Sequence, residues 1–127
     1  FEMNALNLKF QENSFDLVYD TYNLLGSLDG KDRQKLIDEM ARVTKKNGMI
    51  TNITWKEGTV TTKFLEKYYP SIGIQIISIN DLGTVTSKGE FTRFTKKQLK
   101  RYYEKSGLKD IEFFDIGSVW MAIRGVK

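Results

Sequence analysis

The sequence predicts an α/β fold whose open, mostly parallel sheet finishes in an antiparallel β-hairpin. Three observations carry this. A compact apolar run sits at residues 15–19, a helical apolar period follows and leads straight into a β-branched run at 49–55, and two strand-like segments near the C-terminus are separated only by Gly117-Ser118. Strand, helix and strand joined by short connections make one right-handed parallel unit. A two-residue turn instead makes the strands it joins antiparallel, so the sheet is mixed at one edge.

The elements follow in order. Residues 1–8 are short and apolar with a polar tail, as at a strand end running into a loop, and 9–14 (KFQENS) make a polar turn. Phe15, Leu17, Val18 and Tyr19 have the continuous apolar character of a strand buried on both faces, ending at Asp20 and Thr21. Across 32–44 the residues Leu36, Ile37, Met40, Ala41 and Val43 recur at three and four, which predicts an amphipathic helix ended by Asn47-Gly48. Residues 49–55 (MITNITW) are the next strand. A short helix at 61–69 closed by Pro70 is expected next, then a strand at 74–79 turned by Asn80-Asp81-Leu82-Gly83 into 84–86. Thr95 is a good N-cap for a helix carrying Leu99, Tyr102 and Tyr103 inward, and Ser106-Gly107 stops it. Segments 111–116 and 119–123 form the closing hairpin.

Composition bounds the chemistry. The 127 residues are 40% hydrophobic and 13% aromatic, enough to build one core, and no apolar run approaches the length of a membrane span. No leader pattern opens the chain, so a cytoplasmic location is the default expectation. With no Cys and no His, disulfides, thiolate zinc sites and histidine acid–base catalysis are excluded, and no metal site is expected. Asp, Glu, Tyr, Lys, Asn and backbone amides remain, a set suited to binding and positioning. The net charge of +4 mildly favours acidic partners such as nucleic acid. Much of that excess lies in Lys96, Lys97, Lys100 and Arg101, whose helical spacing also fits a solvated face.

Four stretches share an order and spacing with one family. Asn4-Ala5-Leu6-Asn7-Leu8-Lys9-Phe10 with Asn13-Ser14-Phe15-Asp16-Leu17-Val18 resembles "D-A-x-x-L-P-F … x-S-F-D-x-V". The run LIDEMARVTKKNG (36–48) is similar to "E-x-x-R-V-L-K-P-G-G", with Glu39, Arg42, Val43, Lys45 and Gly48 in matching places and Lys46-Asn47-Gly48 standing for Pro-Gly-Gly. Residues 91–108 resemble "R-x-[FY]-T-x-x-E-L-x-x-x-L-x-x-A-G-F". The family is the class I, Rossmann-like methyltransferases that use S-adenosylmethionine, whose sheets end in an antiparallel hairpin. The resemblance covers essentially the whole chain and implies the C-terminal portion of one such domain across 1–127, with a variable, lid-like insertion at about 56–90. No G-x-G occurs among the ten glycines, so the family's glycine-rich cofactor turn is expected upstream. A sheet so divided would leave a long unpaired edge and tend to associate.

The resemblance also implies roles. Asn4, in place of the family's acid, and Ala5, with Leu6 after them, would meet the adenine of S-adenosylmethionine; an Asn carbonyl still accepts, though without charge. The blander alternative for Asn4 is a turn residue. Asp20 and Thr21 fall at the C-terminal end of a parallel strand, where open α/β sheets bind ligands, and are expected to touch the cofactor. Asp20 and Tyr22 are the candidate catalytic bases for an acceptor proton, with Asp20 as a helix cap the alternative. The run 22–28 looks like the family's "F-N-S-L-G-Y-L" variant, which puts Asn23 against the acceptor. Trp55, Arg93 and Phe94 are the other candidate acceptor-binding residues, with an Arg93 pairing to Glu90 or Asp81 the structural alternative; Trp120 is expected in the core. The function so read is methyl transfer from S-adenosylmethionine to an unidentified acceptor. A basic nucleic-acid-binding module and a noncatalytic interaction unit are the alternatives, the first recognisable by steep salt dependence.

Overall fold

The computed structural model describes residues 2–127, so the part of the first expected strand end that falls on Phe1 lies outside them. A four-stranded sheet is formed by β1 (Phe15–Asp20), β2 (Thr44–Trp55), β6 (Lys109–Ile116) and β7 (Trp120–Val126), in the order β1-β2-β7-β6. β1 runs parallel to β2, and β7 runs antiparallel to both β2 and β6. The carboxyl ends of β1, β2 and β6 and the start of β7 therefore lie along one edge. The antiparallel strand is interior, not at the rim. Its sequence explains this: Met121, Ala122 and Ile123 are all buried, whereas β6 is charged and mostly exposed, so the apolar strand takes the enclosed place.

Strand alternation assigns the faces. Ile50, Asn52 and Thr54 of β2 are buried and their neighbours less so. The covered face meets α1 (Leu24–Ser27), α2 (Gly30–Val43) and α4 (Lys96–Lys105), and Leu25, Leu36, Ile37, Met40, Ile50, Leu99, Tyr103 and Ile123 make one core there. α4 begins with a complete capping box: the Gln98 amide donates to Thr95 Oγ1 at 3.1 Å, and the Thr95 amide donates to Gln98 Oε1 at 2.9 Å. It stops at Gly107, whose φ of 75° is the left-handed stop expected there.

Two expectations are corrected. β1 is not buried on both faces: Leu17 is 49% and Tyr19 63% exposed, because β1 is the edge strand and nothing among the described residues covers that side. Asn47-Gly48 does not end the helix. α2 stops at Val43, Thr44 is already extended, and the register jumps from Phe15↔Thr44 to Leu17↔Met49. Residues 45–48 thus form a bulge with Asn47 at φ 65°, and Gly48 is required because an added Cβ would meet the Asp16 carbonyl at 2.9 Å.

The remaining segment builds a smaller unit. α3 (Thr59–Ser71), which carries Pro70 in its last turn, packs with a three-stranded antiparallel sheet of β3 (Ile76–Asn80), β4 (Gly83–Thr86) and β5 (Gly89–Thr92). β5 escaped the sequence reading because GEFT is too short to show a period. Trp55, Leu65 and Tyr69 form the second core, with Ile74, Ile76 and Phe91 packed against it.

The pair Glu39 and Arg42 has a structural task. The Arg42 guanidinium donates to both Glu39 carboxylate oxygens, to the Phe10 carbonyl at 2.9 Å and to the Leu8 carbonyl at 2.8 Å, while the Leu8 amide donates to Glu39 Oε2 at 2.9 Å. One ion pair thereby fastens the loop before β1 onto α2. Arg42 holds the Glu39 carboxyl below its ordinary value. Arg42→Ala, by unpairing the Glu39 carboxylate and two carbonyls, should lower the midpoint of urea unfolding at pH 7. A depressed carboxyl stabilises above its unfolded value and loses that contribution as pH falls through the folded value, so the cost should shrink in acid. The open edge and uncovered face of β1 give a second expectation: the chain self-associates at high concentration, and Leu17→Lys raises the concentration at which sedimentation detects it.

Candidate active site

Asp20 ends β1, in register with Asn52 of β2. Its Oδ2 accepts from Asn52 Nδ2 at 2.7 Å and its Oδ1 from the Ile53 amide at 3.2 Å. Asn52 is fully buried, and its Oδ1 accepts from the Tyr103 hydroxyl of α4 at 2.6 Å. This chain of bonds runs from the sheet edge into the core. Burial outweighs the two hydrogen bonds and pushes the Asp20 carboxyl up to about 6. Burial, then the Asp20 charge, drives the Tyr103 phenol well above its ordinary value, so it stays a donor. A carboxyl that titrates near neutrality at the end of a parallel strand can take up a proton there. Asp20 is not a helix cap.

Beyond Asp20 the chain makes a turn in which Tyr22 and Asn23 both have left-handed backbones, at φ 58° and 59°. Asn tolerates this conformation; Tyr does so at a cost of about 1 kcal/mol. The turn sends the Tyr22 side chain out, 81% exposed, and the Asn23 side chain in, 1% exposed. The Asn23 amide donates to the Ile53 carbonyl at 3.0 Å, and its Oδ1 accepts from the Trp55 amide at 3.4 Å. Gly26 packs over it, where a Cβ would lie 2.3 Å from the Thr92 carbonyl oxygen.

A cleft of about 360 Å³ opens at this edge. Thr21 and Tyr22 line it from the end of β1, Ile53 and Trp55 from β2, Ile116 from β6 and Trp120 from β7, with Phe64 and Tyr68 of α3 closing it. Trp55 and Trp120, cross-strand partners, stack at 3.5 Å between centroids and 18° between planes. Phe64 and Tyr68, one helical turn apart, stack at 5.4 Å and 17°. Tyr22 meets Trp120 edge-on at 6.1 Å.

The expected site residues divide. Thr21, Tyr22 and Trp55 come together in the cleft, with Asp20 behind them. Asn4, Ala5 and Leu6 lie outside that lining: Asn4 Oδ1 accepts from the Leu6 amide at 2.9 Å in a local turn, and Ala5 and Leu6 lean on the main core. Asn23 was expected to face the acceptor and does not, since the left-handed turn points it inward. Arg93 is buried between α3 and β4, donating to Thr62 Oγ1 at 3.0 Å and to the Gly83 carbonyl at 3.4 Å. Phe94 is 1% exposed in the main core, under the Arg33 guanidinium. Neither reaches the cleft. Trp120, expected in the core, packs against the second core and also lines the cleft. Tyr68 is a residue the sequence already offered, with Tyr69 and Trp55, for an apolar or aromatic pocket, whereas Phe64 and Ile116 went unremarked; the four-residue spacing of Phe64 and Tyr68 and the hairpin register opposite Trp55 were the available signals. The basic face of α4 is occupied in part, with Lys100 paired to Glu104 at 3.6 Å and Lys96 over the Phe113 ring.

Comparison with known proteins supplies a fold. A family model described as a methyltransferase domain matches residues 1–51. No curated protein matches the chain. Among solved structures, a SAM-dependent methyltransferase from Methanosarcina mazei is 19% identical with a TM-score of 0.69, over 98% of this chain and 65% of that one. A SAM-dependent methyltransferase from Thermotoga maritima, described as a possible histamine N-methyltransferase, is 17% identical with a TM-score of 0.70, over 100% of this chain and 63% of that one. Human N-acetylserotonin methyltransferase in complex with SAM is 17% identical with a TM-score of 0.70, over 100% of this chain and 33% of that one. The chain therefore has the methyltransferase fold and spans less than two thirds of each of these proteins.

The raised Asp20 carboxyl predicts a pH dependence. Folded, it keeps its proton to about pH 6; its ordinary value is 3.8. The folded state holds more protons in that window, so stability falls as pH rises through it, by about 3 kcal/mol. Urea unfolding at pH 4.5 and pH 7, an interval that holds about 2 kcal/mol of it, should show the loss, and Asp20→Asn should remove most of the difference.

Proposed function

We propose that the protein is an S-adenosylmethionine-dependent methyltransferase whose acceptor enters the cleft between Tyr22, Trp55 and Trp120. The observation that carries this reading is the juxtaposition of a near-neutral carboxyl, Asp20, with an apolar cleft at the carboxyl edge of parallel strands in a methyltransferase fold. S-adenosylmethionine brings a methyl group on a positively charged sulfur, which is already activated for in-line displacement. What this chain must add is alignment and a place for one proton.

The residues fit a nucleoside cofactor in two respects. Asn4 Oδ1, with one lone pair given to the Leu6 amide, keeps a second for an adenine amino group, and the Ala5 amide and Leu6 follow it in the same turn. Asp20 and Thr21 end the strand at which the methyl donor and acceptor would meet. The aromatic walls hold the acceptor and exclude water, and the segment at about 56–90, whose α3 supplies Phe64 and Tyr68, acts as a lid that sets specificity. With S-adenosylmethionine bound, methyl transfer would release one proton from the acceptor nitrogen or oxygen, and the Asp20 carboxylate would take it up. Asn52 and the Ile53 amide hold that carboxylate in place. Tyr22 caps the mouth of the cleft and offers its hydroxyl to the acceptor. Among the described residues no helix is long and apolar enough to cross a membrane.

The test is methyl-tritium transfer from S-adenosylmethionine into a pool of small metabolites, followed with the purified labelled acceptor. Asp20→Asn should lower kcat by about a hundredfold with little change in KM. Equal turnover would remove Asp20 from the chemistry. These residues alone, without the glycine-rich cofactor turn expected upstream, are expected to be inactive, so the assay uses the protein that carries that turn; its failure to label any acceptor would remove methyl transfer itself.

A further inference from the structure

We infer that the acceptor is a planar aromatic ring system, gripped by the ring faces of the cleft and not by charge. This deepens the proposed function, because it takes the cleft to be the acceptor site. Five of the eight lining residues are aromatic, two are isoleucine and one is threonine; none carries a charge. Of the charged residues next to them in sequence, Lys56 and Asp115 are engaged with each other at 3.2 Å, and Asp20 is held by Asn52 and the Ile53 amide. A phosphate or carboxylate entering here would lose water and gain no partner.

The geometry of the rings selects among uncharged ligands. Trp55 and Trp120 already form a parallel stack, and Phe64 and Tyr68 form a second one facing the same space. A flat ring laid against either extends an existing stack, and aromatic pairs gain stability beyond the area they bury. A saturated ligand of the same size would bury similar area without that gain. A quaternary ammonium ion would also favour ring faces, but each indole already gives one face to the other, and the Asp20 carboxyl behind the lining has its two oxygens engaged by Asn52 and the Ile53 amide. The cleft's volume of about 360 Å³ sits at the small end of ligand pockets, which limits the acceptor to one or two fused rings. Two surface features are then accounted for: Phe64 and Tyr22 stand 41% and 81% exposed, and Tyr22 does so on a strained backbone. Neither exposure helps folding; both offer ring surface to a ligand.

Both tryptophans of the chain line the cleft, so its two indole N–H signals in a nitrogen-15 NMR spectrum report on this site alone. The protein is titrated, without S-adenosylmethionine, with 2-naphthol, with decahydro-2-naphthol of the same skeleton, and with tetramethylammonium chloride. The expected result is a saturable shift of both indole signals by 2-naphthol, with at least tenfold weaker response to the saturated analogue and none to the cation. Phe64→Leu and Tyr22→Leu, which leave the remaining spectrum in place, should each weaken 2-naphthol about fivefold. Equal binding of the saturated analogue, tighter binding of the cation, or no shift with 2-naphthol overturns the inference. Because no cofactor is present, these outcomes are independent of whether the protein transfers methyl groups.

Discussion

One buried side-chain amide ties this fold together. Asn52 lies in the middle of the sheet with no exposure to water, and every polar atom it owns must find a partner inside. It does so in three directions: Nδ2 to Asp20 of β1 and toward Met40 Sδ of α2, and Oδ1 from Tyr103 of α4. An unpaired amide at such depth would cost a few kcal/mol, so β1, α2 and α4 are held in one arrangement relative to β2. The same requirement keeps Asp20 where it is. Its carboxyl is drawn to the Asn52 amide from a place that would otherwise disfavour its charge, and the raised titration follows from burial the hydrogen bonds do not offset.

From that constraint the site follows by strand direction alone. β1, β2 and β6 point the same way and β7 starts where they end, so residues far apart in sequence arrive at one edge. The left-handed pair at 22–23 then splits two neighbours between opposite tasks. Asn23 closes the backbone of β2 from within, and Tyr22 is thrown outward over Trp120. The smaller unit contributes through α3, whose inward face shares a core with Trp55 and whose outer turn presents Phe64 and Tyr68.

Much of this was legible in the residues. Periodicity at three and four marked α2, the Thr95 cap marked α4, and the Gly117-Ser118 turn marked the hairpin, because each signal is local. Asp20, Thr21 and Trp55 could be placed near a site because a strand's carboxyl end is also local information. What was illegible depended on side-chain direction and on distant packing. Asn23, Arg93 and Phe94 lie next to site elements in sequence, yet each turns inward, and no pattern in a single sequence distinguishes inward from outward at a turn. Trp120 was legible only in part: it packs against the second core as a hairpin Trp should, but its place on the cleft needed its partner at the sheet's end, Trp55, to be known. The exposure of β1 likewise reflects its place at the sheet edge, which composition does not encode.

The most direct test of the central claim, that the carboxyl edge of β1 and β2 is where donor and acceptor meet, is a crystal structure of the protein with S-adenosylhomocysteine. The account predicts the thioether sulfur beside Asp20 and Thr21, facing the cleft under Tyr22 and Trp120, with the adenine against Asn4 and Ala5. Density for the ligand on the basic face of α4, or on the far side of the sheet from Asp20, would contradict it.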